Sequence, residues 1–182
     1  MILPIVLYGN QILRKKCINI TPDFGLFPLH INTIISNMCE TMYNSGGIGL
    51  AAPQIGLGIR LFIVDTIQYN MENPTKSIFI NAEIVEYGNE TSIQLEGCLS
   101  LPGVGERVER PNWIKIKYLD ENFTEHIDIF DGYSARVIQH EYDHIEGKLY
   151  IDYLSGLSKK LIKRKLQDIV QGNISTKYPS KK

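Results

Sequence analysis

Hydrophobic positions recur along this chain in two periods, and each change of period marks a change of element. Ile31, Ile34, Ile35, Met38 and Met42 fall at helical spacing, which predicts an amphipathic helix over 29–44 stopped by Gly46-Gly47. Residues 61–64 and 77–85 are short apolar runs of strand character, and 66–76, with Asn73-Pro74, is turn material between them. Over 113–119 the period changes to two: Ile114, Ile116 and Tyr118 alternate with Lys115 and Lys117. Asp120-Glu121-Asn122 suits a turn, and 126–130 alternates again, so the pair predicts a hairpin. Asp131-Gly132 stops that strand. A second helix is expected over 133–146, with Ala135, Val137 and Ile138 on its apolar side and Gly147 as its C-cap. Leu157, Leu161, Ile162, Leu166, Ile169 and Val170 form one stripe of a third helix, with lysines opposite. Hairpins beside segregated helices indicate an α+β fold, without the alternating βαβ order of a parallel sheet.

A chain of 182 residues holds one well-packed domain and is short for two. Its 43% hydrophobic and 21% charged residues are ordinary for a globular protein. A net charge of −1 gives no global attraction to DNA or to acidic membranes. The charge is unevenly spread, however. Residues 159–182 carry eight basic side chains against the single acid Asp168, a local +7 that leaves −8 on the rest. The three cysteines, Cys17, Cys39 and Cys98, are odd in number and irregular in spacing, which argues against a disulfide framework and for a reducing compartment. The apolar start has no basic region before it and turns polar at Gly9-Asn10-Gln11, and no run reaches the length of a membrane span. A cytoplasmic protein is expected.

The chemistry concentrates in the second predicted helix. His140-Glu141-Tyr142-Asp143-His144 is an H-E-x-x-H pattern. Residues i and i+4 share a helix face, so both imidazoles can reach one metal ion. Glu141 projects a quarter-turn away, where it could take a proton from a metal-bound water. A plainer reading is a helix with two incidental histidines. The third ligand decides the type of site. Gly147 continues the pattern as a three-histidine metalloprotease would, but Tyr150 stands in the next ligand slot, no suitably placed glutamate follows, and Asp152 and Asp168 are open downstream alternatives without supporting context. Upstream candidates are His30, His126, several carboxylates and the cysteines. Cys98 stands out because Gly97 precedes it and Pro102-Gly103 follows, the setting of a tight loop. Cys17 follows Arg14-Lys15-Lys16, and Cys39 lies near the apolar stripe of the first helix, where a structural thiol is the better reading.

Three segments resemble the motifs of the peptide deformylase family, in the family's order: Gly47-Ile48-Gly49-Leu50-Ala51-Ala52-Pro53-Gln54, Glu96-Gly97-Cys98-Leu99-Ser100, and Gln139-His140-Glu141-Tyr142-Asp143-His144. Ile12-Leu13-Arg14, Arg110-Pro111 and Gly147-x-Leu149 also look like the family. The resemblance covers about residues 1–155, and implies a catalytic domain over that range with small antiparallel or mixed sheets around a central metal-binding helix. Residues 156–172 would add an amphipathic basic helix to the same domain, and 173–182 are expected to be a disordered tail.

The resemblance further implies a divalent ion held by Cys98, His140 and His144, with water in the fourth place and Glu141 as general base and then acid. Ferrous iron is the family's metal, and zinc, nickel or cobalt are alternatives that ligand softness does not separate. Gln54 and the backbone N–H of Leu99 would stabilise the tetrahedral oxyanion, and Gly49 would give the substrate a main-chain contact. The implied substrates are N-formylmethionyl nascent peptides, whose methionine side chain would lie near Ile48, Tyr133 and Val137. Many relatives carry an aliphatic residue where Tyr133 stands, so the pocket should have its own shape here. Two other readings compete: a zinc endopeptidase, which shares H-E-x-x-H, and a metal-stabilised binding module without chemistry. The basic third helix could also dock on ribosomal RNA, although a solubilising face on a packed helix explains the lysines more simply.

Overall fold

A computed structural model describes residues 1–21, 31–67 and 73–182 of the chain. Its largest sheet is antiparallel and five-stranded, and every residue of one central strand is buried. That strand, β3 (Leu61–Asp65), lies between β2 (Gly49–Ala51) and β4 (Lys76–Tyr87). The sheet continues through β7 (Trp113–Leu119) to β8 (Glu125–Asp131). Alternation along β3 splits the core in two. Leu61 and Ile63 pack with Leu50, Ile80 and the stripe Ile34, Ile35, Met38 and Met42 of helix α1 (Ile31–Asn44). Phe62 and Val64 pack instead with Phe79, Ile114 and Ile116 and with Ala135, Val137, Ile138 and Ile145 of helix α2 (Gly132–Ile145). Each large side chain buried this way contributes about 1.5–3 kcal/mol. Helix α2 is thereby fixed against the sheet along one side, leaving the other for the site.

Both helices end as glycine allows. At Gly46 (φ 69°) and Gly147 (φ 74°) the backbone is left-handed, and the following amides fold back: Gly47 N–H to Met42 O at 2.9 Å and Lys148 N–H to Asp143 O at 2.8 Å. At 147 any side chain would also strike the backbone of Arg14, with a Cβ 2.7 Å from its carbonyl oxygen. The expected helix start at 29 and the candidate ligand His30 lie outside the described residues, as does the middle of the expected 66–76 turn.

Two expectations gain detail and one needs correction. The tight loop expected at Cys98 is the tip of a hairpin, β5 (Thr91–Cys98) and β6 (Leu101–Pro111), joined by Leu99 and Ser100. Helix α3 (Gly156–Gln171) buries only Ile162 and Ile169 of its stripe and leaves Leu157 and Leu161 70% and 72% exposed. It packs on β6 beside Leu101, Val104 and Tyr150 through a face narrower than its apolar stripe. Finally, residues 173–182 do not form a disordered tail. They turn back after Gly172, and β9 (Ser180–Lys181) pairs in parallel with β1 (Ile5–Val6). Ile5 N–H donates to Pro179 O at 2.9 Å and Leu7 N–H to Lys181 O at 2.8 Å. The polar composition of the tail hid this, because its order comes from backbone pairing with the buried, apolar start of the chain. The observed architecture is α+β, with small, mainly antiparallel sheets.

Candidate metal centre

Cys98, His140 and His144 converge at the interface between α2 and the tip of the β5–β6 hairpin. One ligand-capable atom from each lies within 4.8 Å of the other two, and Cys98 Sγ is 3.3 Å from His144 Nε2. One thiolate and two imidazoles form a donor set suited to a single divalent transition ion. The orientation of His140 supports this. Its Nδ1 is 2.9 Å from Glu96 Oε2, which leaves Nε2 for the site. Nδ1 of His144 is buried without a hydrogen-bond partner among the described residues.

Glu96 anchors a network that sequence reading did not identify as functional. Its carboxylate accepts four hydrogen bonds: from His140, from Arg110 Nε at 2.6 Å and Nη2 at 3.0 Å, and from Arg136 Nη1 at 2.8 Å. Arg110 also donates to Asp143 Oδ2 at 2.8 Å, and Tyr153 OH to Asp143 Oδ1 at 2.8 Å. Arg136 reaches Val108 O and Ser92 O, so it ties α2 to both strands of the hairpin. Burial opposes the charge on Glu96, but the hydrogen bonds from His140 and Arg110 outweigh it and bring the carboxyl down to about 2. Burial also opposes a proton on His140, yet hydrogen bonds with Cys98 and Glu96 raise its pKa well above the ordinary histidine range. For His144, burial and then the positive charge on His140 lower it well below that range.

Glu141 has the opposite surroundings. It is 4% exposed, and its Oε2 is buried without a hydrogen-bond partner among the described residues. Burial pushes its carboxyl up to about 7, against the attraction of His140. Gly49 gives it room: a Cβ at Gly49 would stand 2.5 Å from Glu141 Oε1. Gln54, 2% exposed, is held by a 3-10 turn over Ala52–Ile55. Its Oε1 accepts from Ala51 N–H at 2.8 Å, which turns Nε2 toward Cys98 Sγ at 3.5 Å and Ser100 Oγ at 3.3 Å. A donor is thus aimed at the ligand cluster.

These residues line a cavity of about 710 Å³. Ile48, Gly49, Gln54, Cys98, Leu99, Tyr133, Val137, His140 and Glu141 all reach it, whereas His144 lies beneath, 1% exposed. Tyr133 is 36% exposed at the surface of the cavity and Val137 is buried in its wall. Two groups of lining residues were not foreseen from sequence: the hairpin residues 101–105 and the tail residues 175–178.

The polypeptide deformylase profile matches residues 2–160. A peptide deformylase of Flavobacterium johnsoniae is 47% identical over 100% of this chain and 96% of its own length. That of Karelsulcia muelleri is 51% identical over 84% of this chain and 78% of its own. The crystal structure of the peptide deformylase from Thermus thermophilus superposes with a TM-score of 0.83 at 33% identity, covering 94% of this chain and 99% of that one. Motif order, ligand geometry and similarity along the whole chain therefore agree: this chain belongs to the polypeptide deformylase family.

Proposed function

We infer that the chain hydrolyses the N-formyl group from the terminal formyl-methionine of nascent polypeptides, releasing formate and a free amine. The observation that carries this is the pairing of a thiolate–imidazole cluster with a buried, unpartnered carboxyl at the base of one cavity. Cys98, His140 and His144 would hold one divalent ion, ferrous by resemblance, with zinc, nickel or cobalt as alternatives. Such an ion supplies a Lewis acid that polarises the formyl carbonyl and eases deprotonation of water.

Glu141 would take the proton of the attacking water and return it to the leaving amine nitrogen. A carboxyl pushed up to about 7 is suited to both transfers near neutral pH. Gln54 Nε2 and the Leu99 N–H would donate to the oxyanion that forms on the formyl oxygen. The backbone of Gly49 would hold the substrate main chain, and Ile48, Val137 and Tyr133 would surround the methionine side chain. Substrates made on the ribosome imply action in the cytoplasm. No described helix is long and apolar enough to cross a membrane.

The test is formate release from a formyl-Met peptide by anaerobically purified protein, with elemental analysis of the same sample. Cleavage of an unformylated internal peptide bond, with no formate released, would favour the endopeptidase reading instead. Cys98→Ala is expected to lose the metal; a full complement of metal with full activity would overturn the ligand set.

Helix α3 supports a further reading, docking on ribosomal RNA, because it leaves Leu157 and Leu161 exposed among Lys160, Lys163 and Arg164. Lys159 and Lys165 serve the fold too, donating to Asp152 O and Gly103 O. Co-sedimentation with ribosomes that weakens as salt rises is expected. Absent or salt-independent binding would remove this reading.

A further inference from the structure

The turn that carries Cys98 is poorly held by its own hairpin. The ladder pairs Gly97 with Gly105 and then jumps to pair Cys98 with Leu101, so 102–104 bulge out and the tip lacks regular pairing. Its restraints come from elsewhere in the chain. Tyr8 N–H donates to Ser100 O at 2.8 Å, and Tyr178 OH donates to Leu99 O at 2.6 Å. Both donors flank the small parallel sheet of β1 and β9, Tyr8 two residues after β1 and Tyr178 two residues before β9. Tyr8 follows the Leu7 amide that bonds Lys181, and Tyr178 precedes the Pro179 carbonyl that accepts from Ile5. The segments that flank the β1–β9 pair thus grip two consecutive carbonyls of the metal-ligand turn. Thr176 braces the grip: its Oγ1 donates to Tyr178 O at 2.7 Å and lies 3.0 Å from Ser180 Oγ. Burial, and next the nearby Cys98, push the Tyr178 phenol up to about 12, so it stays a donor throughout the neutral range. The ring also lines the active-site cavity.

We propose that Tyr178 is a positioning residue of the active site: through Leu99 O it fixes the turn that presents the Cys98 thiolate and the Leu99 N–H. The C-terminal segment is then part of the catalytic apparatus and not an appendage to α3. This inference rests on the deformylase reading for its activity measurement alone.

The experiment is Tyr178→Phe in the full-length, metal-loaded enzyme. The ring and the cavity wall stay, and only the hydroxyl is lost. A turn free to move misplaces an oxyanion donor and a ligand, which affects the transition state more than substrate binding. We expect kcat on a formyl-Met peptide to fall about ten-fold with KM within about two-fold, the loss of one modest interaction made in the transition state. In the cobalt-loaded variant, the thiolate-to-cobalt charge-transfer band should shift or weaken. A kcat within two-fold of wild type, or an unaltered cobalt band, overturns the assignment even if the melting temperature drops. If the wild-type protein released no formate, the deformylase reading would fail, and the cobalt band would still decide the role of Tyr178.

Discussion

Two buried glutamates, one on helix α2 and one facing it, have been given opposite surroundings. Glu96 faces α2 from the hairpin and is saturated with donors, two arginines and a histidine. Glu141 projects from α2 itself into a space kept open by Gly49 and has an oxygen with no partner among the described residues. Burial disfavours charge on both. At Glu96 hydrogen bonds reverse the effect and bring the carboxyl to about 2, whereas at Glu141 burial outweighs the attraction of His140 and the carboxyl rises to about 7. The first arrangement makes a fixed anion that orients a ligand. The second makes a group whose proton can be taken and given near neutrality. A satisfied carboxylate builds the site, and an unsatisfied one is left to react.

The sharpest way to break this contrast is to neutralise each glutamate in turn. Glu141→Gln should keep its metal and its fold while kcat falls about 10³-fold, within the range for loss of a general acid–base group. Formate release beside elemental analysis measures both, and substantial turnover in this variant would remove Glu141 from the chemistry. Glu96→Ala should act mainly on stability. It leaves Arg110 and Arg136 buried without their shared anion, a loss of about 3–5 kcal/mol. Metal affinity should fall about 10–100-fold as His140 loses its orienting partner. Chemical denaturation and competition with a chelator would report the two effects separately.

A smaller effect is expected from Gly49→Ala. The new methyl occupies the place of the Glu141 carboxylate, so kcat should drop about ten- to a hundred-fold while Tm changes little. Crystallographic displacement of Glu141 would confirm the route.

The smallest effects, and the most discriminating, are in the pH dependence of stability of the metal-free protein. Glu96 has a folded pKa below its ordinary 4.5, so its contribution is complete above pH 4.5 and is lost as pH falls toward 2. Glu141 has a raised folded pKa, so it lowers stability as pH rises from 4.5 to about 7. Denaturation midpoints should therefore show opposite slopes removed by Glu96→Gln and by Glu141→Gln. The same slope lost in both variants would contradict the contrast.

The sequence disclosed this site unevenly, for reasons visible in particular residues. His140 and His144 are about one helical turn apart with Glu141 between them, so their shared placement follows from α-helix geometry alone. Glu96 and Cys98 are two apart on a strand and therefore share a face, which would have linked them had 91–98 been read as a strand. The pattern of that strand is inverted, however. Ile93 and Leu95 point out, 59% and 69% exposed, while Glu96 points in. An outward apolar face and an inward charge mislead any rule that places apolar residues inside. Strand β8 behaves similarly. Its register sets Ile127 and Ile129 opposite Lys117 and Lys115 on the outer face, and turns His126 and Asp128 toward Tyr118.

What the sequence determined by itself was therefore local: the three helices and the strands β3, β4, β7 and β8, the histidine pair with its glutamate, and the motifs that carry the family likeness. These depend on periods of two and 3.6 residues, and on glycines such as Gly46 and Gly147 where the backbone turns left-handed. What only the tertiary structure decided was the partnership of groups distant along the chain. Gln54 meets Cys98 across 44 residues, Glu96 meets His140 across 44, and Tyr178 meets Leu99 across 79. Such contacts carry no period, because they arise only when burial has folded the chain back on itself. Their strength comes from that burial, where an unpaired charge is costly and a paired one is held in place.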